Sequence, residues 1–290
     1  MPSRLPLLLV VTLLAACSPR RAAEWVLLSH RFRLTGDIAY GAAVRQRLDV
    51  YRPKAASAPA PVVVFFYGGR WQGGSREQYR LLGDAFAQRG VVAVVPDYRL
   101  YPEVRFPAWI EDGARAVRWV HDSIAHYGGD PSNIILAGHS AGAHTAMLLA
   151  LDPEYLAAAG VPRGAIRGAA SLAGPVGIEW SDADVRALMG EPAQYARTYP
   201  LTFAGDSGAA PLLFQHGGRD RTVSPVNSTR LADRVRAHGG CARVVMYPGL
   251  DHVGTVLALS LPQFRIAPVL DDLLAFVRHP RGGCSLRPAG

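Results

Sequence analysis

From Val62 to Val277 the chain alternates short apolar runs with longer stretches whose apolar residues recur every three or four positions. The short runs include Val62-Val63-Val64-Phe65-Phe66-Tyr67, Asn133-Ile134-Ile135-Leu136-Ala137, Pro211 to His216 and Arg243 to Tyr247. Their length, with the β-branched and aromatic content of the first, predicts strands, those at Asn133 and Pro211 buried. The stretches Ala143 to Leu149, Asp182 to Met189 and Val226 to Ala237 have helical spacing. Strands and helices in alternation predict an α/β fold, a mostly parallel sheet with helices on both faces. Ala55 to Pro61 reads as a surface loop, and Pro175 to Ala210, between two predicted strands, as a small cap segment.

One turn in this pattern carries chemistry. Gly138-His139-Ser140-Ala141-Gly142 follows a strand run directly and precedes a helical run directly, the context of a nucleophile elbow. Such a turn strains its central residue and tolerates almost no side chain two positions either side, so the hydroxyl stands clear at the carboxyl edge of the sheet. Ser140 is the candidate nucleophile. An acid and a base should follow it in that order, each in a loop after a strand. Asp220 lies at the tip of Gly217-Gly218-Arg219-Asp220, after the Pro211 run, and His252 lies in Pro248-Gly249-Leu250-Asp251-His252, after the Arg243 run. A serine hydroxyl needs an imidazole to take its proton during attack, and the imidazole needs a carboxylate to hold its tautomer. The competing acids fit less well: Asp97 and Asp130 precede Ser140, Asp206 precedes its strand, and Asp251 adjoins His252. His121 and His126 read as residues of a solvent-facing helix, and His139 and His144 as supports of the elbow. Neither H-E-x-x-H nor C-x-x-C occurs, so no metal and no cofactor is expected.

The Val62 run empties into Gly68-Gly69-Arg70-Trp71-Gln72-Gly73-Gly74, a loop able to bring bare backbone N–H groups to a ligand. With the N–H of Ala141, the residue after the nucleophile, an N–H of Gly69 or Arg70 is the expected oxyanion hole. Phosphate cradling is the rival use of such a loop, but G-x-x-x-x-G-K-[ST] is absent and Lys54 is the sole lysine.

Taken with Leu48-Asp49-Val50-Tyr51-Arg52-Pro53, Pro96-Asp97-Tyr98-Arg99-Leu100 and Gly128-Gly129-Asp130-Pro131, these pieces resemble the α/β-hydrolase esterases of the hormone-sensitive-lipase, feruloyl-esterase-like and kynurenine-formamidase-like group, over residues 45–278. The resemblance implies the α/β-hydrolase fold and ester cleavage with no cofactor. It also marks a departure: Tyr67 stands where these families usually carry the histidine that braces the oxyanion loop, so the tyrosine hydroxyl is expected to brace Gly68-Gly69-Arg70 instead. Asp97 and Arg99 are expected to pair and order the loop after the fourth strand.

Arg4, the apolar run Leu5 to Leu14 and the tetrapeptide Leu14-Ala15-Ala16-Cys17 suit a secretory signal, the apolar run being short for a membrane span. The tetrapeptide resembles a bacterial lipobox, which implies a signal peptide over residues 1–16, lipidation of Cys17, and a lipid-anchored protein of the cell envelope, the outer membrane given Ser18. Cleavage to a soluble secreted protein is the alternative. Cys241 and Cys284 remain, an even pair in an oxidising compartment, and a bridge is expected between them. Residues 17–290, in a chain 49% hydrophobic, suffice for a single domain. The net charge of +8 comes from scattered arginines, and no nucleic-acid module is present.

Three functions are consistent with this pattern. The first is a serine esterase that cleaves short to medium or small aryl esters through an acyl-enzyme. The second is an amidase, formamidase or peptidase with the same triad, although a prolyl-oligopeptidase type would be expected to carry a large additional domain before Leu48. The third is a non-catalytic surface lipoprotein, which would be expected to lack a triad member. The cap residues Ile178, Trp180, Leu188, Met189, Tyr195, Tyr199 and Phe203 are candidates for the walls of an acyl pocket.

Overall fold

A computed structural model of the chain describes residues 28, 32–55, 59–205, 208–282 and 284. Its strands are β1 (Phe32–Ala39), β2 (Arg47–Pro53), β3 (Ala60–Phe66), β4 (Val92–Pro96), β5 (Gly129–His139), β6 (Ile166–Leu172), β7 (Leu212–Gly217) and β8 (Ala242–Tyr247). The helices are α1 (Arg80–Ala87), α2 (Ala108–Ser123), α3 (Ala141–Leu151), α4 (Pro153–Ala158), α5 (Ala183–Met189), α6 (Tyr195–Thr198), α7 (Val226–Ala237), α8 (His252–Ser260) and α9 (Val269–Arg278). All eight strands form one sheet in the order β1-β2-β4-β3-β5-β6-β7-β8. The β1–β2 and β2–β4 pairs are antiparallel and the rest are parallel. This is the α/β-hydrolase fold.

The apolar runs of β3, β5 and β7 are continuous because these strands lie inside the sheet, where the runs are buried along nearly their whole length, while β8, at the edge, is only partly buried. In β3, Val62, Val63 and Val64 pair with Ile134, Ile135 and Leu136 of β5, and all six are fully buried. The edge strand β1, by contrast, is buried nowhere along its length. Helix α3 is apolar all round and runs through the interior, with His144 and Thr145 among its fully buried residues. Helix α2 buries one face, through Trp109, Ile110, Ala116, Val117 and Val120. His121 sits half-exposed near its end, and His126 lies in the short turn that follows, exposed.

The register fixes where the loops emerge. Phe66, the last residue of β3, is level with Gly138 of β5, so the glycine loop and the elbow leave the same edge side by side. Strand order reverses about β3, with β4 on one side and β5 on the other, and ligands of open α/β sheets bind at such a point, beyond the carboxyl ends of the strands. Far from it, Cys241 before β8 is disulfide-bonded to Cys284 after α9, with Cα atoms 5.6 Å apart. Cys17 and the proposed signal segment lie outside the described residues.

Candidate active site

Ser140 has φ 55° and ψ −122°, the strained conformation the elbow requires. Its N–H donates to Leu172 O at 2.9 Å, and its carbonyl accepts from Ala143 N at 3.0 Å and His144 N at 3.2 Å. The flanking glycines are imposed by backbone, not by side chains. A Cβ on Gly138 would stand 2.3 Å from Gly142 O, and one on Gly142 would stand 2.1 Å from Phe66 O. Elbow and β3 therefore touch main chain to main chain.

The three residues expected to act together do meet. Ser140 Oγ lies 3.0 Å from His252 Nε2, and His252 Nδ1 lies 2.8 Å from Asp220 Oδ2. The other oxygen of Asp220 accepts from the N–H groups of Thr222 and Val223, both at 2.9 Å, so the acid is held by its own turn. Asp251 is occupied elsewhere: it caps α8, Oδ1 accepting from Gly254 N at 2.7 Å. Among the described residues no group of three His, Cys, Asp or Glu is placed to hold a metal ion.

His139 and His144 have separate tasks. His139 donates from Nε2 to His252 O at 3.0 Å, with the two rings 4.7 Å apart, so it steadies the residue carrying the base. His144, expected to support the elbow, gives its backbone N–H to Ser140 O at 3.2 Å, while its side chain reaches the cap: Nε2 donates to Thr198 O at 2.7 Å, and the ring packs on Trp71 and Trp180. Burial pushes both imidazoles down to about 4, for His139 with help from the neighbouring His252. Both stay neutral in the folded protein at pH values where the unfolded chain takes up protons. Their contribution to stability is therefore complete above about pH 6.5 and lost as pH falls toward 4, at most roughly 3 kcal/mol each. The melting temperature should fall over that window, and His144→Gln, which keeps a donor without titrating, should reduce the slope. Equal slopes in variant and wild type would remove His144 as a contributor.

The glycine loop lies against the nucleophile. A Cβ on Gly68 would meet Ser140 Cβ at 3.0 Å, while Gly69, Arg70 and Trp71 all have positive φ, at 133°, 55° and 58°. Gly69 O accepts from the N–H groups of Gln72 and Gly73, both at 3.0 Å, which closes the loop on itself. Ala141 is the first residue of α3, so its N–H has no partner within the helix.

Two expectations around this loop are corrected. The Tyr67 hydroxyl does not reach Gly68-Gly69-Arg70. It donates to Asp97 Oδ1 at 2.8 Å and accepts from Arg45 Nη2 at 2.8 Å, and its ring stacks between Tyr79 and Tyr98. Its link to the loop is indirect, since the same Arg45 nitrogen donates to Gly74 O at 2.8 Å. Nor do Asp97 and Arg99 pair. Asp97 binds the Arg76 guanidinium and, at 2.7 Å, the Arg76 N–H, whereas Arg99 forks onto the fully buried Asp112 at 2.9 and 2.7 Å. Sequence separation hid both pairings, because an arginine's long arm takes partners from any element at the same edge.

A cavity of about 150 Å3 opens over Ser140, lined by Arg70, Trp71, Ile178, Trp180, Val185 and Asn227, among others. The cap residues expected there divide. Ile178 and Trp180 line the cavity, while Leu188 and Met189 are buried in the core, Tyr195 and Tyr199 are half-buried within the cap, the first on Arg186 O and the second against the Trp180 ring, and Phe203 is half-buried. Arg70 and Asp182 join across the mouth at 2.8 Å, each about half exposed, so the link contributes little energy. A larger hollow of about 940 Å3 lies at the opposite sheet edge but holds no nucleophile and base, so size does not select the site.

A family described as BD-FAE matches residues 48–158, and the prolyl oligopeptidase family matches residues 110–281, more than half of the chain and all of the Ser140, Asp220 and His252 region. The chain belongs to the prolyl oligopeptidase family. Membership establishes lineage but leaves the bond cleaved open, because one fold hosts many activities. Among individual relatives, Esterase LipQ of Mycobacterium tuberculosis is 30% identical over 86% of this chain and 64% of its own. A probable isoprenylcysteine alpha-carbonyl methylesterase of Arabidopsis thaliana is 41% identical over 38% of this chain and 23% of its own. The chain thus spans less than two thirds of these relatives. In structure, Esterase B from Lactobacillus rhamnosis superposes with a TM-score of 0.76 at 21% identity, over 97% of this chain and 98% of the other, a likeness of fold.

His216 escaped sequence reasoning. It is fully buried at the end of β7, and its Nε2 lies 3.2 Å from Asp220 Oδ2. The only signal was its position four residues before the acid.

Proposed function

We propose that the protein is a carboxylic ester hydrolase that works through an acyl-enzyme on Ser140. The observation that carries this is the relay of Ser140 Oγ, His252 and Asp220 at 3.0 and 2.8 Å, formed on a strained elbow. Ser140 Oγ attacks the ester carbonyl as its proton passes to His252 Nε2, while Asp220 holds the Nδ1–H tautomer and stabilises the imidazolium. The N–H of Ala141, with that of Gly69 or Arg70, faces the carbonyl oxygen as it gains charge. His252 then returns its proton to the departing alcohol, and water drawn to the same base releases the acid. Two of the relatives bear the names of esterases, which supports ester over amide. The cavity's small volume and its Trp71, Ile178 and Trp180 walls favour short to medium acyl groups or small aryl esters.

Cleavage of amide or peptide bonds is the second reading, favoured by the family match. Labelling with a fluorophosphonate and a panel of nitrophenyl esters, formamides and peptide anilides separate the two. Label on Ser140 with ester turnover far above amide turnover is expected. Higher turnover of anilides or formamides would replace the ester reading.

We further propose that Cys17, outside the described residues, carries lipid and anchors the protein in the cell envelope, at the outer membrane. The run Leu14-Ala15-Ala16-Cys17 supports this. Mass spectrometry of membrane-extracted protein should find acyl chains on an N-terminal Cys17, several chains giving the stable hold that one does not, and Cys17→Ser should release the protein. An N-terminus at Met1 in the native host would refute the proposal.

A further inference from the structure

Two imidazoles share the acid. Asp220 Oδ2 faces His252 Nδ1 at 2.8 Å and His216 Nε2 at 3.2 Å, and the side chains of Asp220 and His216 are both fully buried. The contacts of His216 settle its tautomer. Its Nε2 lies between two acceptors, Asp220 Oδ2 and Val223 O at 2.9 Å, and therefore carries the hydrogen. Its Nδ1 lies 2.7 Å from the hydroxyl of Ser228 on α7 and accepts from it. Burial pushes the His216 imidazole below its ordinary range, which favours the neutral ring. Asp220 thus receives N–H groups from Thr222, Val223 and His252 and shares the Nε2–H of His216 with Val223 O, the nearer acceptor, in a ring that Ser228 fixes.

We propose that His216 is a positioning residue that sets how strongly Asp220 supports the charged form of His252. The proposal rests on the reading of Ser140, His252 and Asp220 as a catalytic relay. A donor on Oδ2 draws negative charge away from the His252 contact and pins the carboxylate in the plane of that ring. The titratable groups facing Asp220 are His216 from β7 and His252 at the head of α8, and His139 of β5 faces His252 from the other side. Without the His216 donor, more charge remains for His252, its imidazolium is more stable, and the proton stays on to higher pH. The rising limb of the rate against pH should therefore move upward.

Two variants test the Nε2–H that Asp220 and Val223 O share. The amide nitrogen of Gln stands near the place of imidazole Nε2, and that of Asn near the place of Nδ1. His216→Gln keeps the donor to Asp220 and His216→Asn loses it, while both replace a buried ring by an amide. The rate of fluorophosphonate labelling of Ser140 against pH, in the purified full chain, reads the relay without any ester. His216→Asn should shift the rising limb upward by about one pH unit, tenfold in the proton affinity of the base, and His216→Gln should leave it at the wild-type pH. Limbs that coincide in all three proteins, or that shift equally in both variants, overturn the proposal. Should His216→Asn not fold, 15N spectra of the wild type decide: a proton on Nε2 of His216 and none on Nδ1 supports it, and the opposite tautomer overturns it. A wild type that labels but hydrolyses no ester refutes the ester reading alone. A wild type that does not label refutes the relay and this proposal with it.

Discussion

Ser140→Ala should lower kcat by three or more orders of magnitude, and Asp220→Asn and His252→Ala should do comparable damage, without adding when combined. The reason is geometric. One hydroxyl, one imidazole and one carboxylate oxygen form a single line of contacts at 3.0 and 2.8 Å, and a relay with any member missing is no relay. Stability should change little in Ser140→Ala, because the serine hydroxyl makes one hydrogen bond among the described residues while the backbone bonds of the elbow, to Leu172, Ala143 and His144, remain. Steady-state kinetics on the preferred ester, with melting curves alongside, checks both parts. Near wild-type activity in Ser140→Ala would discard the elbow as the seat of chemistry.

The next largest loss is expected from Gly69→Ala. At φ 133° a side chain is strained whatever the space, and here the new methyl would stand 2.2 Å from Gly73 O. The obstacle is backbone, so the turn from Gly69 to Gly73 must open and carry the Gly69 and Arg70 N–H groups away from Ser140. Removing one oxyanion donor costs about a hundredfold to a thousandfold in kcat. KM should move little, because the donors matter most when the carbonyl oxygen becomes an oxyanion. A kcat within a fewfold of wild type would place the second donor outside this loop.

The elements that carry the site were legible in sequence because each has a local cause. Strands covered on both faces must be continuously apolar, so the runs at Val62, Asn133 and Pro211 mark β3, β5 and β7, while the Arg243 run marks β8, an edge strand that is only partly buried. Helix α7 occupies Val226–Ala237, the span its spacing predicts. An elbow strained at its centre and packed main chain to main chain needs glycine at 138 and 142, and it announces its serine. Chain order then pointed to Asp220 and His252, since each parallel strand ends at the same edge and delivers its following loop there.

Contacts between long or buried polar side chains were not legible. Tyr67 was expected to brace a loop and instead joins Asp97 and Arg45; the His144 side chain was expected to support the elbow and holds Thr198 of the cap, only its backbone N–H bonding the elbow. His216 carried no motif at all. The linear pattern determined the fold class, the edge at which chemistry sits and the three residues expected to perform it, because hydrophobic periodicity and backbone strain act over a few neighbouring positions. The tertiary structure alone decided which arginine meets which aspartate and which imidazole shares the acid. A buried polar atom must find a partner wherever the packed chain brings one within about 3 Å, and that distance depends on every element between them.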